Sequence, residues 1–207
     1  FFTANDAIPV TIGSRPPIHQ SSITASHYAL DSHAVRKREE GRVHLDGFLS
    51  YPSAVYTVPY GVMVPKEVGN LLLPVPVSGS HIGFSTLRME PCWMAMGQAA
   101  GIASALSIDG KVKVQNIDLS RLQDKLVDQK ATLMYFKDVD YTSPHFRMVQ
   151  YLGLRGYLPE WTARLQEPVD MATLTAWKKL SGKDLPGIEA GKTTRLVALE
   201  MIYRKIK

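Results

Sequence analysis

His81, Arg88 and Glu90 fall within ten residues of one another and lead straight into a proline and a long uncharged stretch. A histidine can move a proton near neutral pH, and an arginine can hold an anion through its fixed fork of donors. Pro91 is pre-set for a first helical turn and has no amide hydrogen to leave unpaired. The sequence therefore predicts a helix beginning there, with Met89 or Glu90 as its cap. From Pro91 to Ile108 no residue carries a charge. Gly97, Gly101 and Ala105 recur every four residues, as do Ala95, Ala99 and Ala103, so two rows of the helix are nearly smooth. A second backbone or a flat ligand could approach either row closely. The free amides at the helix start, with the macrodipole, suit an anion or an electron-rich carbonyl. Plain core packing against a sheet gives the same composition, and composition alone favours it. The run is shorter than the roughly 20 residues a bilayer requires, and Gln98 and Ser104 interrupt it, so no membrane span is expected.

Other reactive types are thinly spread. Cys92 is the one cysteine, which excludes an internal disulfide and a cysteine-based zinc site. Its place in the first helical turn could lower a thiol pKa, although a buried packing role is the simpler reading. His27 and His33 with Asp31 form the one local histidine group, without metal-ligand spacing, and no metal is expected. Ser78, Ser80 and Ser85 near His81 lack a Gly-x-Ser-x-Gly elbow and an oriented third member. Trp161 and Trp177 could stack on a sugar or pack in a core.

The elements that must position these residues fit a chain of 207 residues with 45% apolar and 21% charged residues, which is globular in composition. The net charge of +5 is uneven: residues 1–120 hold 9 Lys/Arg against 9 Asp/Glu, and residues 121–207 hold 15 against 10. No clustered basic motif accompanies that excess, so nucleic acid is not an expected partner. Residues 1–30 mix Pro9, Pro16 and Pro17 with short β-branched runs, and Arg36–Arg42 reads as a charged, exposed turn. Ala54–Val64 predicts a strand, a break at Pro59 and Gly61, and a second strand. Leu71–Val77 reads as a short buried strand that Pro74 and Pro76 confine to an edge. Asp109-Gly110 predicts a turn after the long helix. Beyond it, Ser120–Lys130, Phe146–Leu154, Met171–Leu180 and Thr194–Ile206 show helical spacing.

With those residues in view, the chain resembles the C-terminal part of FAD-dependent oxidoreductases of the glutathione-reductase-like superfamily, closest to a bacterial group that includes proteins with a xanthan-lyase-related name. The resemblance rests on Val58-Pro59-Tyr60-Gly61 with Val64-Pro65-Lys66, on Asn70-Leu71-Leu72-Leu73 before Val77-Ser78-Gly79-Ser80-His81, and on Ser85-Thr86-Leu87-Arg88-Met89-Glu90-Pro91 leading into Met96-Gly97-Gln98-Ala99-Ala100-Gly101. Asp31-Ser32-His33 resembles the family's strand-end Asp-x-His. The match covers roughly residues 25–108. It implies that Ser85, Thr86, Leu87, Arg88, Met89 and Glu90 lie along FAD, with Gly97 and Gln98 just inside the helix. It also implies that His81 and Arg88 are candidate catalytic groups on the substrate side of the flavin; Tyr60 is a further catalytic candidate, grouped with them in a lyase-type alternative. Two departures stand out. Leu73-Pro74-Val75-Pro76 replaces a glycine-bearing turn, and no Gly-x-Gly-x-x-Gly occurs anywhere in the chain.

The C-terminal part resembles, more weakly, the S-layer-homology pattern through Tyr135-Phe136-Lys137-Asp138-Val139, Tyr151-Leu152-Gly153 and Thr194-Arg195. The expectation is thus an α+β chain: residues 1–58 part of a substrate domain, 59–112 the closing strands and helix of an FAD-binding α/β domain, and 113–207 a helical module. Its expected function is that of a C-terminal fragment of a flavin-dependent oxidoreductase. FAD would be bound by the intact parent and not by this chain alone. The expected partners are the N-terminal FAD-binding region of the same polypeptide and a small-molecule or carbohydrate substrate. The alternatives are a polysaccharide- or cell-wall-binding module and a lyase using Tyr60, His81 and Arg88. The sequence leaves periplasm, cell surface and cytoplasm open.

Overall fold

A computed structural model describes residues 19–33 and 48–207, with backbone alone at 32–33, 48–49 and 81–82. The charged run Arg36–Arg42 lies outside the described residues. Contacts divide the chain into two units, residues 1–133 and 134–207.

The first unit sets two small antiparallel sheets beside helices. Strand β1 (Ser22–Ser26) has Ile23 and Thr24 buried, while β2 (Leu30–His33) and β3 (Phe48–Tyr51) form the second pair, Asp31 opposite Ser50. β4 (Tyr56–Pro59) pairs with β1, and a bulge between Ser22 and Thr24 is bridged by the Ser22 hydroxyl, which donates to the carbonyls of Thr24 and Leu133. These short sheets with helices bear out an α+β chain.

Past Pro59 the expected second strand does not form. Tyr60–Met63 coils into a 3-10 turn that buries Tyr60, Val62 and Met63. Leu71–Val77 is not a strand either. With two prolines unable to donate, it is tied to that turn by two backbone bonds, Leu73 to Met63 and Ser78 to Val62.

Helix α1 (His81–Leu87) and helix α2 (Glu90–Gly110) follow. The Ser80 hydroxyl caps α1 by accepting from the Gly83 amide. α2 runs through the expected Asp109-Gly110 turn and stops one residue later at Lys111, which takes the left-handed conformation (φ 52°). Helix α3 (Leu119–Asp128), capped by Asp118, places Leu122, Leu126 and Val127 against α2 and β1, so it belongs to the first unit and not to the helical module. Buried Gln123 ties it to the carbonyls of Gln20 and Ser22.

The second unit holds α4 (Phe146–Leu154), α5 (Met171–Ser181) and α6 (Arg195–Ile206), all at their expected places. Gln150, fully buried, clamps both backbone groups of Met134. A Cβ on Gly153 would stand 2.9 Å from the Met134 sulfur and from Phe136 Cζ, so glycine is what lets α4 approach that segment. Trp177 is buried and donates to the Tyr157 carbonyl, which makes it core and not a sugar platform.

Candidate functional site

The junction between α1 and α2 follows from Pro91. Were the two helices continuous, the proline ring would meet the Leu87 carbonyl four residues back. The chain instead turns extended at Met89 (φ −88°, ψ 139°) and restarts at Glu90, with Pro91 in the first turn. Leu87, fully buried, and the hydroxyls just before it fix this break. Ser85 Oγ accepts from the Asp31 amide at 3.0 Å. Thr86 Oγ1 donates to the Tyr28 carbonyl at 2.8 Å and meets the Tyr56 hydroxyl at 2.7 Å. Burial raises the Tyr56 pKa, with hydrogen bonds to Ser26 and Thr86 pulling the other way. The side chains of Ser85, Thr86 and Leu87 thus face the interior and hold the frame.

Arg88, at the C-terminal cap of α1, reaches back to β2. Its Nη2 donates to both carboxylate oxygens of Asp31, at 3.0 and 2.8 Å. The Asp31 side chain is 10% exposed and that of Arg88 34%, so the pair sits at the surface edge of the unit with its acid end inside.

At the start of α2 no side chain caps the helix. The amides of Met89, Glu90 and Cys92 have no partner within the helix by its geometry, and Pro91 contributes none. Glu90 is exposed there, where its charge favours the helix dipole. The Trp93 indole nitrogen is buried without a hydrogen-bond partner among the described residues. Cys92 is buried, and burial pushes its thiol pKa up, opposed by a hydrogen bond with Ser26. The thiol is thus placed as a buried packing group.

The two smooth rows of α2 part company. Ala99 and Ala103 are fully buried with Met96 and Leu106. Gly97, Gly101 and Ala105 are exposed, flanked by Met94 (77% exposed) and Ile108 (76%). A Cβ built on Gly97 or on Gly101 meets nothing within 4 Å among the described residues. The uncharged stretch of this helix, residues 91–108, is about 27 Å long, and the exposed Glu90 and Asp109 stand at its two ends. Gln98 lies at the edge of that face, its amide donating to Gln129 just past the end of α3 at 2.8 Å.

The structure brings Arg88, Met89 and Glu90 together at one end of α2, and does not bring Tyr60 to them. Tyr60 is buried and its hydroxyl donates to Val114 O at 2.9 Å, beyond the far end of α2. Burial pushes its pKa up to about 12. Among the described residues Tyr60 is therefore a buried, hydrogen-bonded group and does not present its hydroxyl to a cleft. His81 opens α1, two turns from Arg88, and its side chain lies outside the described residues. Sequence reasoning missed α1, whose one signal is Ser80 three residues before Gly83, and the Asp31–Arg88 pair, which no spacing announces. No group of three or more His, Cys, Asp or Glu that could hold a metal stands among the described residues, and no helix there is long and apolar enough to cross a membrane.

The arrangement sets the free amides of a helix start and the Asp31-held Arg88 beside the exposed Glu90 carboxylate, next to the uncharged stretch of α2. It offers a negatively polarised group somewhere to bind and a flat body somewhere to lie. A family model described as FAD dependent oxidoreductase matches residues 4–126. No curated protein and no solved structure matches the chain.

Proposed function

The chain belongs to the FAD dependent oxidoreductase family, and from that premise we propose that it supplies the flavin-ring side of an FAD site whose phosphate-binding side lies elsewhere in the same polypeptide. When bound, FAD supplies two-electron exchange with a substrate. The residues at the start of α2 suit such a group on one side. The uncapped amides of Met89, Glu90 and Cys92 point positive potential out of the helix, and the partnerless Trp93 N–H is a donor in want of an acceptor. Glu90, a carboxylate, can only accept, so it suits a hydroxyl or N–H of the cofactor and repels a phosphate. Arg88 adds a guanidinium that can hold negative charge on a reduced ring or a substrate carboxylate, and His81 is the candidate proton carrier. Ser85, Thr86 and Leu87 frame this edge from within, without touching the cofactor by their side chains. Tyr60 holds the far end of α2.

On the phosphate side nothing in the sequence serves. A pyrophosphate needs a glycine-rich turn at a helix start, and no Gly-x-Gly-x-x-Gly is present. The observation that carries the proposal is the bare face of α2. Its stretch between Glu90 and Asp109 carries no charge and, among the described residues, has open space at Gly97 and Gly101; that is a poor surface to leave in water, and it is the surface on which a second layer of an FAD domain could close. The chain alone is then expected not to retain FAD. A polypeptide joining it to its Gly-rich region should purify yellow with added FAD. If that joined protein remains colourless, the proposal fails.

A further inference from the structure

Asp31 is a group the cofactor-facing edge does not itself require, yet it is built into that edge from two sides. Its amide donates to Ser85 Oγ, its carboxylate takes Nη2 of Arg88 through both oxygens, and its strand pairs with β3. The guanidinium is thereby held on one nitrogen, two residues before the first turn of α2, while Nε and Nη1 have no partner among the described residues. From this geometry we propose that Asp31 is the positioning residue for Arg88, setting both the direction of the guanidinium and how much of its charge reaches the flavin. The inference rests on the flavin reading above and goes beyond it by assigning the tuning of the ring's charge to a strand residue. An acid held against Arg88 cancels part of the positive field at the start of α2. A reduced ring carries more negative charge than an oxidised one. Removing the acid charge should therefore favour the reduced form, and removing the arginine should disfavour it.

The test is the flavin midpoint potential of the FAD-loaded polypeptide that joins this chain to its Gly-rich region, with circular dichroism to establish that each variant is folded. D31N and D31S, either of which suffices if the other does not fold, should each raise the preference for reduced flavin about tenfold, which is about 30 mV for a two-electron couple. D31E should stay within about threefold of the parent and R88Q should lower the preference about tenfold, again about 30 mV. If the neutral variants leave the potential in place while R88Q lowers it, Asp31 is a structural acid only, and the flavin reading stands. If R88Q leaves the potential unchanged as well, Arg88 does not face the ring, and the assignment fails with the placement it rests on. A parent protein that takes up no FAD overturns both.

Discussion

The hydroxyl of Tyr60 donates to the carbonyl of Val114 at 2.9 Å, which fastens the turn after β4 to the segment that follows α2. Arg88 stands before the other end of that helix. The bond thus gives Tyr60 a structural role beyond the C-terminal end of α2.

Replacing Tyr60 by Phe removes this donor and strands a buried carbonyl. The expected loss is about 1–2 kcal/mol of stability in chemical denaturation, with FAD content of the joined protein unchanged. The same variant has a pH signature. A folded pKa of about 12, against roughly 10 in an unfolded chain, means the folded state holds the phenolic proton more tightly. Stability from this group is fully present below the unfolded pKa and declines as pH rises from about 10 through about 12. The parent should therefore lose more stability across that window than Y60F does. Equal losses would contradict the assignment.

Gly153 should resist even one added carbon. Its Cβ would fall 2.9 Å from both the Met134 sulfur and the Phe136 ring, inside the contact of a packed core. G153A is expected to cost about 1–3 kcal/mol, read from urea denaturation, despite the better helix propensity of alanine.

Cys92 should behave as a sheltered thiol. A chromogenic disulfide reagent should modify it slowly in the folded chain and at once in denaturant, because its sulfur is buried and its pKa is raised by desolvation. Rapid modification of the folded protein would show that the start of α2 lowers its pKa after all.

The two glycines on the open face separate folding from assembly. In the isolated chain, G97A and G101A should each stabilise α2 by roughly 1 kcal/mol, since alanine is the better helix former and its Cβ meets nothing. A larger residue such as leucine at 101 should likewise leave the isolated chain folded.

Much of this architecture was legible because it depends on local signals. Pro91 marks the start of α2, and apolar spacing draws α3 through α6 within a residue or two of their observed bounds. The strand after Gly61 and the strand at Leu71 were misread because an apolar run looks alike in a strand and in a buried turn, and only tertiary bonds decide. α1 was hidden by Gly83, Ser85 and Thr86, poor helix formers; the hydroxyls of Ser85 and Thr86 are recruited by Asp31, Tyr28 and Tyr56 from other parts of the chain. At the candidate site, Arg88, Met89 and Glu90 could be placed from sequence because they flank a proline-started helix. The burial of Ser85 and Thr86, and the capture of Arg88 by Asp31 57 residues away, arise from packing and leave no periodic trace.

The most direct measurement compares FAD uptake by the joined protein with and without leucine at position 101, beside circular dichroism of the isolated chain carrying the same change. The account predicts a folded chain in both cases, a yellow parent, and a G101L protein that loses its flavin absorbance because the second layer can no longer close on α2. Full retention of FAD by G101L, with the chain folded, would contradict the assignment of that face to the flavin domain.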